Sequence, residues 1–272
     1  MLIEIVKFII YSILIVLISK YILVTILRKL AESLNLKAKA VGDIAGYATS
    51  VPEFLTITTA SLRGLVGASV YNILSSNIIN LIQYLGAIIL NKNIPKLKNK
   101  AIITDLILVV ITIVIPILLL KLNIELNLFI VPIFIIMYIL FRIINNKAHN
   151  LYLEKEIEEE KAKNKKGTIK YFIYLFLTGI LLFIIGELLG NTIENLCNLF
   201  NVSEVIIGIL LGFMTSLPEL ITFFEAQRHH KKLDDDMLGV VEATNNLLTS
   251  NILNLFAIQA IGILISSIII SY

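Results

Sequence analysis

The chain reads as an all-α, polytopic membrane protein of about eight transmembrane helices, built as two inverted repeats whose leading helices are each broken at a proline. Three observations predict this. Of 272 residues, 57% are hydrophobic. Uninterrupted apolar stretches of about 20 residues recur along the chain, the length a helix needs to cross the bilayer core. One short phrase, Ala48-Thr-Ser-Val-Pro-Glu-Phe54, returns in the second half as Met214-Thr-Ser-Leu-Pro-Glu-Leu220, again inside an apolar stretch.

In order, the spans fall at about 5–27, 40–62, 65–90, 101–120, 125–144, 169–190, 203–227 and 238–263. The first is too long to be a signal peptide core, and no small-residue cleavage site follows it. The second and seventh carry the repeated phrase, and the third and eighth carry a second shared phrase rich in asparagine. The first half is expected to run over 1–145 with five spans and the second over 169–272 with three, joined by a charged linker at 146–168. Within that linker, Leu153 to Lys166 places acidic residues ahead of basic ones, as suits a solvated helical turn or loop.

Basic residues cluster after odd-numbered spans: Arg28, Lys29, Lys37 and Lys39, then Lys92, Lys96, Lys98 and Lys100, then the run from Arg142 to Lys170, then Arg228, Lys231 and Lys232. The alternate loops offer little beyond Arg63 and Lys121. Positive charge stays cytoplasmic, so both termini are expected outside the plasma or inner membrane and the charged linker inside.

Several classes are disfavoured. The single Cys197 excludes a disulfide within the chain, and no Cys/His pattern has zinc spacing. The net charge of +3 does not mark a nucleic-acid binder, because the basic residues lie between spans and not in a stripe with interleaved aromatics. His149, His229 and His230 are expected in loops; His229 and His230 with Asp234 to Asp236 read as a polar turn that is solvated or binds a cation weakly. No Gly-x-Ser-x-Gly or His-Glu-x-x-His phrase supplies a nucleophile with a base, so the chain does not read as an enzyme and no cofactor is expected.

Aligning the two Pro-Glu phrases brings Asn35 over Asn201, Gly42 over Gly208 and Gly46 over Gly212 at one constant offset. Further on, Asn72-Ile-Leu-Ser-Ser-Asn-Ile-Ile-Asn80 matches Asn246-Leu-Leu-Thr-Ser-Asn-Ile-Leu-Asn254. An odd number of crossings separates the second span from the seventh, so the copies run through the membrane in opposite senses. Inverted repeats with interrupted helices are the signature of secondary transporters, whose sites lie near the midplane.

The repeated residues have a common chemistry. A proline within a helix removes one amide donor and presses on the carbonyl four residues earlier, which frees the carbonyls of Ala48 and Met214 to face a cation. Thr49, Ser50, Thr215 and Ser216 add hydroxyl oxygens, and Glu53 and Glu219 add anionic ones. On the following helices Asn72, Ser76, Asn77 and Asn80, with Asn246, Ser250, Asn251 and Asn254, share faces at helical spacing. Many hard oxygens with few charges suit calcium, which takes roughly six to eight oxygen ligands, and sodium is of similar size. Each part also has a bland reading. The glycines permit close helix contact, the hydroxyls bond back to their own helices, the asparagines join helices and the prolines kink them. An intramembrane carboxylate that recurs by symmetry favours a functional role for Glu53 and Glu219.

At these residues the chain resembles the sodium/calcium exchanger family of the cation/calcium exchanger superfamily, whose repeats read Gly-Thr-Ser-x-Pro-Glu and then Gly-Asn-x-x-Gly-Ser-Asn. Gly186-Glu-Leu-Leu-Gly190 and Asn201-Val-Ser-Glu-Val-Ile-Ile-Gly208 resemble the family's sixth span and the link after it. The resemblance implies that Glu53 and Glu219 bind calcium and sodium alternately, with Thr49, Ser50, Ser76, Thr215, Ser216 and Ser250 completing the sites. It also implies alternating access by sliding of the first and sixth spans past a core. Departures are plain. The leading glycines are Ala48 and Met214, the later ones are Tyr71, Ser75, Asn245 and Thr249, and Asn80 and Asn254 leave no third acid. Two like charges in one cavity disfavour double ionisation, so a proton could replace sodium as the coupling ion. Asp43 and Glu242 are extra acids that restore charge, line an access path or sit at a wet helix end. The family commonly has ten spans and only eight are expected here, so lipid or a second copy of the chain would cover the face of the last two. The expected partners are calcium, sodium and the lipid bilayer, with a homodimer as one arrangement. A proton-driven divalent cation exchanger, and a membrane cation sensor or scaffold that transports nothing, are the alternatives.

Overall fold

A computed structural model describes residues 2–34, 36–62, 66–122, 124, 126–152, 168–200 and 204–270. The charged stretch from Leu153 to Lys166, the Asn35 and Asn201 pair and Arg63 lie outside the described residues. Among the described residues every regular element is a helix. The elements are α1 (Leu2–Ile18), α2 (Val24–Leu34), α3 (Ala38–Thr49), α4 (Val51–Leu62), α5 (Val66–Leu90), α6 (Lys100–Lys121), α7 (Ile130–Tyr152), α8 (Thr168–Phe200), α9 (Glu204–Thr215), α10 (Leu217–Lys231), α11 (Asp236–Ile252) and α12 (Gln259–Ile270). The chain is a multi-pass membrane protein.

Several of these helices pair end to end into single passes. A π-helical turn at Ser19–Leu23 joins α1 to α2, and another at Leu253–Ile258 joins α11 to α12. The second and seventh passes break where the repeated phrase predicts. Ser50 (φ −80°, ψ 2°) separates α3 from α4, and Ser216 (φ −82°, ψ −1°) separates α9 from α10. Pro52 and Pro218 cannot donate to the carbonyls of Ala48 and Met214, and Thr49 and Thr215 fold their hydroxyls back onto Ala45 and Leu211, each at 3.0 Å. Among the described residues, seven stretches are long and apolar enough to cross a membrane: Leu2–Leu34, Val70–Leu90, Lys100–Lys121, Ile130–Leu151, Thr168–Thr192, Gly208–Lys231 and Asp236–Ile265. The pass α3–α4 is not among them, because Lys39, Asp43, Thr49, Ser50 and Glu53 dilute its apolar character.

The two repeats interlock. Helix α3 packs on α11 and α9 packs on α5, so the first half-helix of each repeat lies against the second helix of the other. Glycine makes this possible at two matched points. A Cβ on Gly46 would come within 2.8 Å of the Asn246 carbonyl oxygen and of Thr249 Cβ, and one on Gly212 would collide with Ser75 Oγ and the Asn72 carbonyl. Buried apolar residues form two separate clusters. One joins α4, α5, α6, α7, α10, α11 and α12 through residues such as Ile73, Tyr84, Ile102, Phe141, Phe223, Leu247 and Phe256. The other joins the long passes α1–α2 and α8 to the half-helices α3 and α9 through Ile15, Ile18, Leu23, Leu27, Ala45, Leu182, Ile185, Leu189 and Leu211.

The structure corrects the reading of the histidines. His149 lies in α7, buried, with its Nε2 donating 2.7 Å to Asp105 Oδ2, and His229 and His230 lie in α10. Hydropathy ends the fifth span at 144, but the helix runs on to Tyr152 because its polar residues have buried partners. Asn145 Nδ2 donates 2.8 Å to Asp105 Oδ1 and 3.0 Å to Asn245 Oδ1. Asp234 adopts a left-handed turn conformation (φ 56°), and Asp235 caps α11 by accepting from the Leu238 amide at 3.1 Å.

Candidate functional site

The broken passes cross where α5 and α11 cross, and this brings the repeated polar residues into one buried cluster. Glu53 and Glu219 have no exposed surface; nor do Thr49, Ser76, Asn80, Ser216, Ser250 and Asn254, and Ser50 is 1% exposed. Each glutamate stands in the first turn after a break, where the free amides of a helix N-terminus favour an anion.

The hydrogen bonds repeat across the pseudo-two-fold. Ser76 donates 3.0 Å to Glu53 Oε1, and Ser250 donates 3.0 Å to Glu219 Oε1. The serine at each break reaches into the other repeat, with Ser50 and Ser250 hydroxyls 2.8 Å apart and Ser216 and Ser76 hydroxyls 3.0 Å apart. Thr215 faces the Glu53 carboxyl, and Thr49 faces that of Glu219. Asn77 Nδ2 donates 3.3 Å to the Asn251 carbonyl, and Asn251 Nδ2 donates 3.2 Å to that of Asn77, a reciprocal clamp between α5 and α11. Asn80 and Asn254 donate in turn to Asn251 Oδ1 (3.2 Å) and Asn77 Oδ1 (3.4 Å).

What remains unbonded is as ordered as what is bonded. Among the described residues of the cluster, Oε2 of Glu53 and Glu219 and Oδ1 of Asn80 and Asn254 are buried without a hydrogen-bond partner. These are two pairs of acceptors matched by the repeat. A buried acceptor without a partner costs about 1–3 kcal/mol, so four in one cluster call for a compensating ligand that supplies positive charge and no acceptor of its own. A hard cation meets that requirement. No group of three or more histidine, cysteine or acidic side chains stands together among the described residues, so neutral oxygens must supply most of any coordination.

Not all of the sequence candidates join this cluster. Asp43 is held on the α7 side, accepting 2.9 Å bonds from both Nη1 and Nη2 of Arg142, 2.9 Å from Lys39 and 2.8 Å from Thr249. Glu242 lies toward α2, paired with Arg28 and His230. Asn246 turns its amide to Thr222, and the Ala48 and Met214 backbones line the two breaks. Reasoning from the repeat missed Asp105, Arg142 and His149. A signal for them was present: Arg142, Asn145 and His149 share a helical face, and Asp105 is an acid within an apolar span.

The family model described as sodium/calcium exchanger protein matches residues 5–145 and 170–272. No curated protein matches the chain. Solved structures of the sodium-calcium exchanger NCX_Mj share its fold. The form soaked with 10 mM Na+ and zero Ca2+ is 23% identical with a TM-score of 0.61, covering 97% of this chain and 84% of that one. The form soaked with 100 mM Na+ and 10 mM Sr2+ is 22% identical with a TM-score of 0.60, covering 97% and 83%. A match across both halves, with the repeats at the positions where the buried oxygens converge, means that the chain belongs to the sodium/calcium exchanger protein family.

Proposed function

We propose that this chain is a secondary active antiporter that exchanges sodium for calcium across a cell membrane by alternating access, with both termini outside. The observation that carries this reading is the set of two repeat-matched pairs of buried oxygens without partners, on Glu53 with Glu219 and on Asn80 with Asn254. Calcium would be held between Glu53 and Glu219, with hydroxyl, amide and backbone oxygens of both repeats completing its shell. Sodium ions would use overlapping oxygens, so the two cargoes compete for one site and each leaves only when the other replaces it.

The two apolar clusters support the movement. The seam between the long passes and the broken helices is lined by Ile15, Ile18, Leu27, Ala45, Leu182, Ile185 and Leu211, side chains that form no directional bonds. Sliding along such a seam exchanges one apolar contact for another, whereas sliding within the α5–α11 clamp would break paired amides. The moving body is therefore α1–α2 with α8, and the site stays with the core.

Radioactive calcium uptake into sealed proteoliposomes tests the proposal, with an outward sodium gradient, an outward proton gradient or neither, beside Glu219→Gln. Sodium-driven uptake lost in the variant is the expected result. Proton-driven uptake would assign the coupling to protons, in keeping with a site of only two acids. No uptake from folded protein under either gradient would overturn transport and leave a cation sensor or scaffold.

A further inference from the structure

Between α2, α3, α10 and α11 lies a small cavity lined by Val24, Leu27, Val41, Ala45 and Thr222, with Arg28 and Glu242 in its wall. Thr222 accepts from Asn246 Nδ2, so the cavity reaches α11 one turn before Ser250 of the oxygen cluster. Its other wall is an ion pair. Arg28 Nη1 lies 2.7 Å from Glu242 Oε2 and Nη2 lies 2.7 Å from Oε1, a two-pronged bond that fixes direction as well as distance. His230 Nε2 donates 3.0 Å to the same carboxylate. The side chains of Arg28 and Glu242 are only 15% and 6% exposed.

Arg28 belongs to the first long pass, and Glu242 and His230 belong to the core. The pair therefore crosses the apolar seam, where bonds that resist sliding have the most effect. It also breaks the symmetry that the rest of the site obeys. Carrying the offset of the Pro-Glu phrases back to Arg28 arrives at Glu194, and carrying that of the asparagine phrases to Glu242 arrives at Ala68. An acid and an alanine cannot form the corresponding pair at the other end. The repeat therefore does not reproduce this pair.

We propose that Arg28 and Glu242 form a one-sided latch, which holds the first long pass against α11, closes this end of the ion path and must part each time that end opens. The role of the latch in exchange rests on the antiport reading. The test is labelling of a Val41→Cys protein, in a Cys197→Ala background, by a charged maleimide in lipid nanodiscs that expose both faces. Val41 lines the cavity and holds no bond of the latch. The expected result is labelling at least about fivefold faster when Glu242→Gln or Arg28→Gln is added, the low end of couplings between sites. The swap Arg28→Glu with Glu242→Arg restores slow labelling. Unchanged labelling in both single variants would overturn the latch, and so would fast labelling that the swap leaves fast, since that reports general loosening. Sodium-driven calcium uptake by the unlabelled parent is read separately. Its absence would defeat the antiport reading without altering what labelling says of the latch.

Discussion

At the scale of residues, the two glutamates occupy matched surroundings, each bonded through Oε1 to a serine of its own repeat and unbonded at Oε2. Equal surroundings predict equal consequences. Glu53→Gln and Glu219→Gln should each weaken calcium binding by at least about tenfold, as loss of a charged ligand contact of more than about 1.4 kcal/mol requires, and by similar factors. Calcium titration calorimetry of the two purified variants checks this, and a variant that binds calcium like the parent would remove that glutamate from the site. The carboxylates, hydroxyls and asparagines of the cluster were legible in the sequence because a repeated phrase marks them twice. The Asp105–Asn145–His149 group was missed, although Asn145 and His149 share a readable helical face, because nothing repeats it and a reading by hydropathy ends the fifth span before His149. Its bonds give a second prediction. His149→Ala removes one of the hydrogen-bond partners of a fully buried carboxylate, and leaving a buried polar group short of a partner costs about 1–3 kcal/mol. The apparent melting temperature in detergent should fall by several degrees, while calcium should still raise it, since Asp105 stands outside the oxygen cluster.

At the scale of elements, the interlocked contacts of α3 with α11 and of α9 with α5 set how close the two repeats approach. Gly46→Ala and Gly212→Ala would each force a methyl against the backbone of the facing helix, where overpacking costs about 1–3 kcal/mol. A built-in control lies in α5. A Cβ on Gly86 meets nothing within 4 Å, so Gly86→Ala should stabilise by up to about 1 kcal/mol through helix propensity alone. Thermal unfolding of the three variants under one set of conditions checks the ordering, and a Gly46→Ala protein as stable as Gly86→Ala would contradict the close approach. The broken helices were legible because a proline within a span forces a break at a known place. The long reach of α8 and the continuation of α7 were not, since helices outlast their apolar stretches wherever polar side chains find partners. The same limit explains why α3–α4 is identified as a span by its repeat and not by its hydropathy.

At the scale of the whole molecule, the division into two apolar clusters was beyond the sequence, because periodicity shows that a face is buried and not what buries it. That division makes a mechanical claim. If α1–α2 and α8 slide past α3 and α9, then a covalent tie across the seam must stop exchange without touching the ligands. Ser12 on α1 and Met214 on α9 face each other across this seam, with Oγ and Sδ 3.5 Å apart. The Met214 side chain packs in the apolar seam, where it meets Ser12. In a Cys197→Ala background, Ser12→Cys with Met214→Cys, joined by a short reducible dithiol cross-linker, should lose sodium-driven calcium uptake and regain it on reduction. Each single-cysteine protein treated in the same way should keep its uptake. Calcium binding to the cross-linked protein should persist, because the tie lies outside the oxygen cluster, and that separates a blocked movement from a damaged site. Full uptake by quantitatively cross-linked protein would mean that the first pass does not move against α9, and the movement would then have to be sought within the core.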